Sequence, residues 1–174
     1  YNSLYLINDN NIKNFDKKIL VPFGEFIPLR KYLSFMEIIA GTHDFAAGSK
    51  NRFLNIKDKI NIIPVICYEI IFFWKLLNDY NNTADLIINL TNDSWFGNFS
   101  GPYQHFYLTR LRAAEYNKPL IRVSNNGISA GIDNFGNIID YIPLNIAATN
   151  NIKIKILKNQ KNYLKYYFLI FYII

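Results

Sequence analysis

Cys67, the single cysteine of the chain, lies where an apolar run gives way to polar residues. The run reads "IPVI", and Tyr68 and Glu69 follow the cysteine directly. A thiol attacks a carbonyl only as a thiolate, which requires a base or a positive charge nearby. A free cysteine more often packs as a small hydrophobic side chain. Its place at the end of a predicted strand favours the nucleophile, because open α/β sheets carry their sites there.

Two further segments place polar side chains on loops that do not need them for packing. "DKKILVPFGEF" carries Lys17 and Glu25 on a loop that contains Pro and Gly, and "NLTNDSWFG" carries Asn92, Asp93 and Trp95. Polar and aromatic groups at several strand ends are typical of an active-site rim in an α/β fold. The alternative for the second segment is a turn with an anchoring aromatic side chain.

The elements that must position these residues follow from hydrophobic patterns. "INIIPVICYEI" and "ADLIINLTN" predict strands buried on both faces, "SLYLI" predicts another strand, and a further strand is expected up to Val21. "LIRVSNNGISAGIDNFGNIIDYI" predicts three strands joined at "NNG" and "NFG". "IFFWKLLNDY" predicts a short helix. The order of elements predicts an α/β domain with a mixed sheet.

"GPYQHFYLTRLRAAEYN" predicts the clearest helix, with Pro102 at its first position and Tyr103, Phe106 and Tyr107 at helical spacing. Its charged residues predict ion pairs on the polar side of the helix. They are Arg110, Arg112 and Glu115.

Composition excludes several classes of function. The net charge is +6, but the basic residues are scattered and no nucleic-acid-binding motif is present, so no nucleic-acid partner is expected. One cysteine excludes an internal disulfide. No metal-ligand spacing and no Gly-rich phosphate motif occur, so neither a metal nor a cofactor is expected. The histidines His43 and His105 have no evident partners in the sequence and receive no assignment.

The last stretch changes character, with five lysines between positions 153 and 165 followed by "YYFLIFYII". Nine apolar residues are fewer than the roughly 20 that cross a bilayer. The stretch predicts either a terminal core strand or the start of a membrane helix. We adopt the second interpretation: residues 1–158 form a partial catalytic domain, and residues 159–174 form a basic juxtamembrane stretch and the start of a truncated C-terminal transmembrane helix.

The motifs "LVPFGEF", "ICYEI", "NLTNDSWFG", "GPYQH" and "SNNGISA" stand in an order and spacing that resembles the bacterial apolipoprotein N-acyltransferases of the nitrilase superfamily. The resemblance covers about residues 1–141. It implies a nitrilase-like α-β-β-α sandwich that is incomplete at its N-terminus, as in the C-terminal part of such an enzyme. The family's first catalytic glutamate, the general base, and its preceding membrane helices have no counterpart in this sequence.

The resemblance also implies roles for individual residues. It implies Cys67 as the nucleophile, with Lys17 and Glu25 completing the catalytic set in this chain. Tyr68 and Glu69 match a supporting pair that follows the nucleophile. Asn92, Asp93 and Trp95, in another matching motif, complete the predicted pocket.

The implied reaction moves an acyl chain from a phospholipid to Cys67 as a thioester, and then to the N-terminal cysteine amine of an apolipoprotein. The implied location is the periplasmic face of the bacterial inner membrane. Phe35 and Met36 could form a lid that dips into lipid, or part of an ordinary amphipathic helix. The alternatives are a soluble amidase of the same superfamily and an inactive fragment of a split acyltransferase gene.

Overall fold

The computed structural model describes residues 1–8, 11–33, 35, 37, 42–49, 51–72, 84–156 and 158. Its strands and its principal helix are β1 (Ser3–Asn8), β2 (Asn11–Asp16), β3 (Leu54–Ile56), β4 (Ile60–Ile66), β5 (Leu86–Thr91), α1 (Ser100–Tyr116), β6 (Leu120–Ser124), β7 (Ser129–Ile132) and β8 (Ile138–Ile142). Short 3₁₀ helices span Cys67–Ile71 and Ser94–Phe96.

A mixed sheet organises these elements. Within the described residues it has six strands in the order β3-β4-β5-β6-β7-β8. β4, β5 and β6 are parallel, whereas the remaining neighbours are antiparallel. Parallel strands end at the same edge of a sheet, so Cys67, Asn92 and Asn125 follow three adjacent strand ends. The predicted mixed α/β sheet is confirmed.

Helix α1 packs on one face of this sheet and closes the larger core. Its Phe106, Ala113 and Tyr116 are buried in one cluster with Ile63 of β4 and Ile87 of β5. The buried positions of the helix recur every three or four residues, as one face of a helix requires. Removing such side chains from water is the main driving force for this packing.

The hairpin β1–β2 covers the other face of the sheet beside β4. Leu4 and Phe15 of the hairpin share a second buried cluster with Leu54, Ile62 and Ile66. This cluster explains why β4 is apolar on both faces, as its sequence predicts.

The prediction of a strand up to Val21 is wrong, because the second strand of the hairpin lies earlier and ends at Asp16. After that strand the backbone turns to side-chain acceptors instead of a neighbouring strand. The N–H groups of Lys18 and Ile19 donate to Glu69, and that of Val21 donates to Glu25.

The helix prediction is confirmed, but its first position and its buried face differ from expectation. The helix begins at Ser100, so Pro102 is its third residue. Proline costs no hydrogen bond there, because the first four N–H groups of a helix lack intrahelical acceptors. Tyr103 and Tyr107 are exposed, and polar His105 occupies the buried face instead.

Several predictions lie outside the described residues or stay untested. The helix predicted over residues 71–80 lies almost wholly outside them, as do Met36 and the terminal apolar stretch. No helix among the described residues combines the length and the apolar character needed to cross a bilayer. The domain boundary at residue 158 remains a prediction.

A buried ion pair joins the loop after β2 to the end of β4. Glu69 is fully buried, and Arg52 donates to both of its oxygens at 2.8 and 2.9 Å. Glu69 also accepts the N–H groups of Lys18, Ile19 and Ile66. Burial raises the pKa of Glu69, but the hydrogen bonds and charge of Arg52 outweigh it, so the net pKa is lowered.

We therefore expect Arg52→Leu to lower the free energy of unfolding by about 3–5 kcal/mol, because it leaves a buried carboxylate without its countercharge. Urea denaturation measures the loss. Arg30→Leu, which removes a partly exposed guanidinium paired with Asp44 and Glu37, serves as the control and should cost far less. Equal losses in the two variants would contradict the role given to Arg52.

Candidate active site

Cys67 lies at a sharp change of direction between β4 and a 3₁₀ helix. Its φ of 53° is left-handed, which is uncommon for a residue with a side chain and is held only where the surroundings enforce it. The thiol is partly exposed, and its Sγ lies 3.7 Å from the carbonyl oxygen of Asn92. The turn therefore presents the sulfur at the edge where β4 and β5 end.

A pocket of about 820 Å³ opens beside this sulfur, in the size range of small-molecule sites. Its polar lining includes Cys67, Lys17 and Glu25. Most of the remaining wall is apolar. The apolar lining residues are Leu4, Val21, Pro22, Phe45, Ile66, Leu90, Trp95 and Phe96.

Lys17 and Glu25 form an ion pair in the wall of this pocket. The Nζ atom of Lys17, a residue that is 1% exposed, donates to Oε2 of Glu25 at 2.6 Å. The N–H of Val21 donates to the same oxygen at 2.8 Å, and Nδ2 of Asn2 donates to Oε1 at 2.9 Å. Glu25 thus accepts three hydrogen bonds, and this arrangement holds the ammonium of Lys17 in one place.

The structure gives Tyr68 and Glu69 different positions, although the sequence predicts them as a pair. Tyr68 lines the pocket, and its ring packs 5.7 Å from Phe72 and 6.1 Å from His105 between ring centroids. Glu69 is not among the lining residues and is bound by Arg52 beneath the turn. The carboxylate of Glu69 therefore supports the turn that carries Cys67.

The residues after β5 also divide into two groups. Asn92 and Trp95 line the pocket, and Trp95 is 67% exposed at its rim. Nδ2 of Asn125, at the end of β6, donates to Oδ1 of Asn92 at 2.7 Å. Asp93 is fully buried and does not line the pocket.

Asp93 instead forms the centre of a buried polar network. Its Oδ2 accepts from Nη2 of Arg122 at 2.6 Å, and its Oδ1 lies 2.9 Å from Nδ1 of His105. The hydroxyl of Thr91 donates to Oδ1 at 3.0 Å. Burial raises the pKa of Asp93, but the hydrogen bond from His105 and the charge of Arg122 outweigh it and bring the pKa to about 2.

Sequence reasoning did not identify His105, Arg122, Asn2 or Arg52 as partners of the site. His105 and Arg122 lie 12 and 29 positions from Asp93, so local spacing carries no sign of their contact. One available signal was a polar residue inside each of two apolar strands, Asn89 in "LIINLT" and Arg122 in "LIRVS".

The predicted ion pairing within α1 is confirmed for Arg112 and Glu115. The prediction that the pair lies on the polar side of the helix is wrong. Nη1 of Arg112 lies 3.0 Å from Oε2 of Glu115, and both residues are buried. Arg110 donates from Nε to the carbonyl of Gly136 at 2.9 Å. Arg110 therefore ties the helix to the loop before β8, whereas Arg112 and Glu115 pair with each other inside the protein and not on a solvated side of the helix.

Comparison with known proteins identifies the family to which these features correspond. The sequence model of the carbon-nitrogen hydrolase family matches residues 1–150. The chain is 46% identical over 147 residues to the apolipoprotein N-acyltransferase of Rickettsia typhi, and 42% identical over 150 residues to that of Rhizobium rhizogenes. Each match covers 83% of this chain, which spans only 29% and 28% of the lengths of these relatives.

Solved structures share the fold at low sequence identity. Glutamine-dependent NAD⁺ synthetase from Acinetobacter baumannii matches with a TM-score of 0.65 and 15% identity, over 85% of this chain and 27% of that one. A CN-hydrolase superfamily protein from Xanthomonas campestris matches with a TM-score of 0.51 and 18% identity, over 83% and 58%. The predicted nitrilase-like fold class is confirmed.

The lowered pKa of Asp93 predicts how stability changes in acid. A carboxyl group whose pKa falls from 3.8 to about 2 on folding stabilises the protein above pH 3.8, and that contribution disappears as the pH falls to about 2. Asp93→Asn should therefore be less stable at neutral pH and lose less stability between pH 4 and 2. Thermal unfolding across this range measures both effects.

The exposed Asp140 offers a matched control. Asp140→Asn should follow the wild-type acid profile. An Asp93→Asn profile parallel to wild type would contradict the network around Asp93.

Proposed function

Because this chain belongs to the carbon-nitrogen hydrolase family, we propose that its Cys67 carries an acyl group from a phospholipid to the N-terminal amine of an apolipoprotein. The observation that carries the proposal is the pocket beside Cys67, which joins one buried ammonium to a largely apolar wall. The relatives named apolipoprotein N-acyltransferase support the choice of transfer reaction. Because this chain spans less than a third of the length of these relatives, we propose the acyl-transfer activity for the whole protein.

In the first half-reaction the thiolate of Cys67 attacks the ester carbonyl carbon of the phospholipid. A carbon–sulfur bond forms, and the carbonyl electron pair moves to oxygen. The ammonium of Lys17 and the backbone N–H of Tyr68 are the donors that stabilise this oxyanion. When the tetrahedral intermediate collapses, the carbon–oxygen bond breaks, and the lysophospholipid alkoxide takes up a proton as it leaves.

The thiol proton must pass to a base before this attack. Glu25 lines the pocket but already accepts hydrogen bonds from Lys17, Val21 and Asn2, so we assign it to holding Lys17. The resemblance assigns the base to a glutamate that has no counterpart in this sequence. The two thioester experiments below therefore use the full-length polypeptide, whereas the vesicle-binding experiment uses the catalytic domain.

In the second half-reaction the α-amino group of the acceptor's N-terminal cysteine, which bears a diacylglyceryl group, attacks the thioester. A carbon–nitrogen bond forms, the carbon–sulfur bond breaks, and the thiolate of Cys67 is regenerated while the amine loses a proton. Apolar walls such as Leu4, Phe45 and Ile66 disfavour water at the thioester. This favours transfer over the hydrolysis that an amidase would perform.

Exposed apolar side chains near the pocket are suited to a lipid donor. Trp95 and Phe45 line the pocket and are 67% and 44% exposed. Phe35 does not line the pocket but is 71% exposed, and we assign it to the same lipid-binding surface. Aromatic side chains of this kind are favoured at membrane interfaces. We infer that this side of the domain contacts the bilayer, on the periplasmic face of the bacterial inner membrane.

The covalent intermediate gives a direct test. We expect the full-length protein, incubated with phosphatidylethanolamine vesicles, to gain a hydroxylamine-labile acyl adduct on the peptide that contains Cys67. Mass spectrometry of that peptide detects it. Cys67→Ser should form no hydroxylamine-labile thioester. If the wild-type protein also forms no adduct, the proposal is contradicted.

Lys17→Met tests the oxyanion donor in the same assay. Loss of one such donor typically costs 10²–10³-fold in rate, so we expect adduct formation to slow by about that factor. Lys13→Met, on strand β2 outside the pocket, is the matched control and should react at the wild-type rate. If a lipopeptide amine is supplied and the adduct is hydrolysed instead of being transferred to that amine, the result would favour the amidase alternative.

The contact with lipid predicts weaker vesicle binding for Phe35→Ser. Burying a Phe side chain is worth about 1.5–3 kcal/mol, so we expect partitioning to weaken at least about tenfold for the catalytic domain separated from any membrane anchor. Flotation with phospholipid vesicles measures it. Tyr141→Ser, which removes an aromatic side chain 52% exposed on β8, is the control, and equal effects would contradict a lipid-facing Phe35.

A further inference from the structure

A buried network centred on Arg122 and Asp93 lies next to the turn that carries Cys67. Arg122 is 1% exposed and donates to Asn89 at 2.7 Å, to Thr109 at 2.9 Å and to the carbonyl of Ile128 at 3.2 Å. Arg122, Asp93 and His105 do not line the pocket beside the thiol, although Arg122 lines a separate cavity. Thr91, which donates to Asp93, lines the pocket and connects it with the network.

The protonation of His105 follows from its neighbours. Asp93, with a pKa of about 2, is a carboxylate at neutral pH and can only accept. Nδ1 of His105 therefore carries the proton and donates to Oδ1 of Asp93 at 2.9 Å. Burial lowers the pKa of His105, and Arg122 lowers it further against the opposing effect of Asp93, so the imidazole is neutral.

Three contacts connect this network with the turn at Cys67. Nδ2 of Asn89 donates to the carbonyl of Val65 at 3.2 Å and to that of Cys67 at 3.5 Å. The ring of His105 lies 6.1 Å from that of Tyr68, the residue that follows the nucleophile. The network thus reaches the backbone on both sides of the left-handed position.

The thiol lies beside the residue that precedes Asp93. Its Sγ is 3.7 Å from the carbonyl of Asn92, whose next residue is Asp93. A glycine keeps room for this arrangement, since a Cβ on Gly127 would lie 2.0 Å from Oδ2 of Asp93.

We propose that His105, Asp93 and Arg122 act as positioning residues, which hold Cys67 in its left-handed conformation and keep its sulfur at the pocket that Lys17 also lines. The inference rests on the proposed role of Cys67 as nucleophile. If this contact is lost, the backbone relaxes toward an ordinary conformation, and the sulfur moves away from the pocket wall that holds the ammonium of Lys17, a positive charge of the kind that favours a thiolate.

Two substitutions of His105 separate hydrogen bonding from packing. His105→Asn keeps an N–H donor for Asp93 but removes the ring, whereas His105→Phe keeps a ring beside Tyr68 but removes the donor. The readout is the rate at which iodoacetamide alkylates Cys67 between pH 5 and 10, followed by mass spectrometry of its peptide in the full-length protein. This readout does not require acyl transfer.

We expect His105→Phe to move the midpoint of the alkylation profile to higher pH and to slow alkylation at pH 7 at least about tenfold. His105→Asn should stay within about threefold of wild type. Thr109→Val, which removes one acceptor of Arg122 with little change in volume, should shift the profile in the same direction by less. Thr109→Val therefore still tests the inference if His105→Phe does not fold.

Arg112→Lys is the control for instability alone, because Arg112 is buried on the same helix but pairs with Glu115. It should lower the melting temperature without moving the alkylation midpoint. Unchanged midpoints in both His105→Phe and Thr109→Val would overturn the inference. Cys67 that is unreactive in the wild type would instead overturn its assignment as nucleophile, and with it the proposed function.

Discussion

The carboxylate of Glu69 accepts five hydrogen bonds, and the arrangement of the site depends on them. Two come from Arg52, two from the backbone of the loop that begins at Lys17, and one from the last residue of β4. These groups belong to segments far apart in the sequence. One buried anion therefore fixes the strand end that carries the nucleophile relative to the loop that carries the ammonium.

Burying such an ion is costly, and the structure offsets that cost in the same way on both sides of the nucleophile. Glu69 is matched by Arg52, and Asp93 is matched by Arg122, each with further hydrogen bonds that satisfy the carboxylate. A buried pair of this kind is weak evidence for net stability, because well-packed apolar residues often stabilise as much. Its value here is geometric, since each pair admits one arrangement of the backbone around Cys67.

The pocket contains none of these four charged residues and has a different character. Its wall holds one buried ammonium, bound by Glu25, among side chains that are mostly aliphatic and aromatic. In such surroundings a charge acts more strongly on a developing oxyanion than it would in water. The same apolar wall suits an acyl chain, so the binding of substrate and the stabilisation of charge have a common physical basis.

The sequence alone determined the local features of this protein. The resemblance of one motif to a known family selected Lys17 and Glu25, and only the structure showed their contact. Periodicity predicted β4, β5 and α1, and the end of a predicted strand favoured Cys67 as a nucleophile. These results follow from short-range rules, since burial patterns and turn residues act over a few positions.

Only the tertiary structure decided which polar residues meet. It separated Asn92 from Asp93, placing one in the pocket and the other in the buried network, although they are neighbours in one loop. It also brought His105 and Arg122 to Asp93 from a helix and a strand that the sequence could not place together. Such contacts depend on strand order and on how the helix packs on the sheet, and both are set by long-range packing rather than by local spacing.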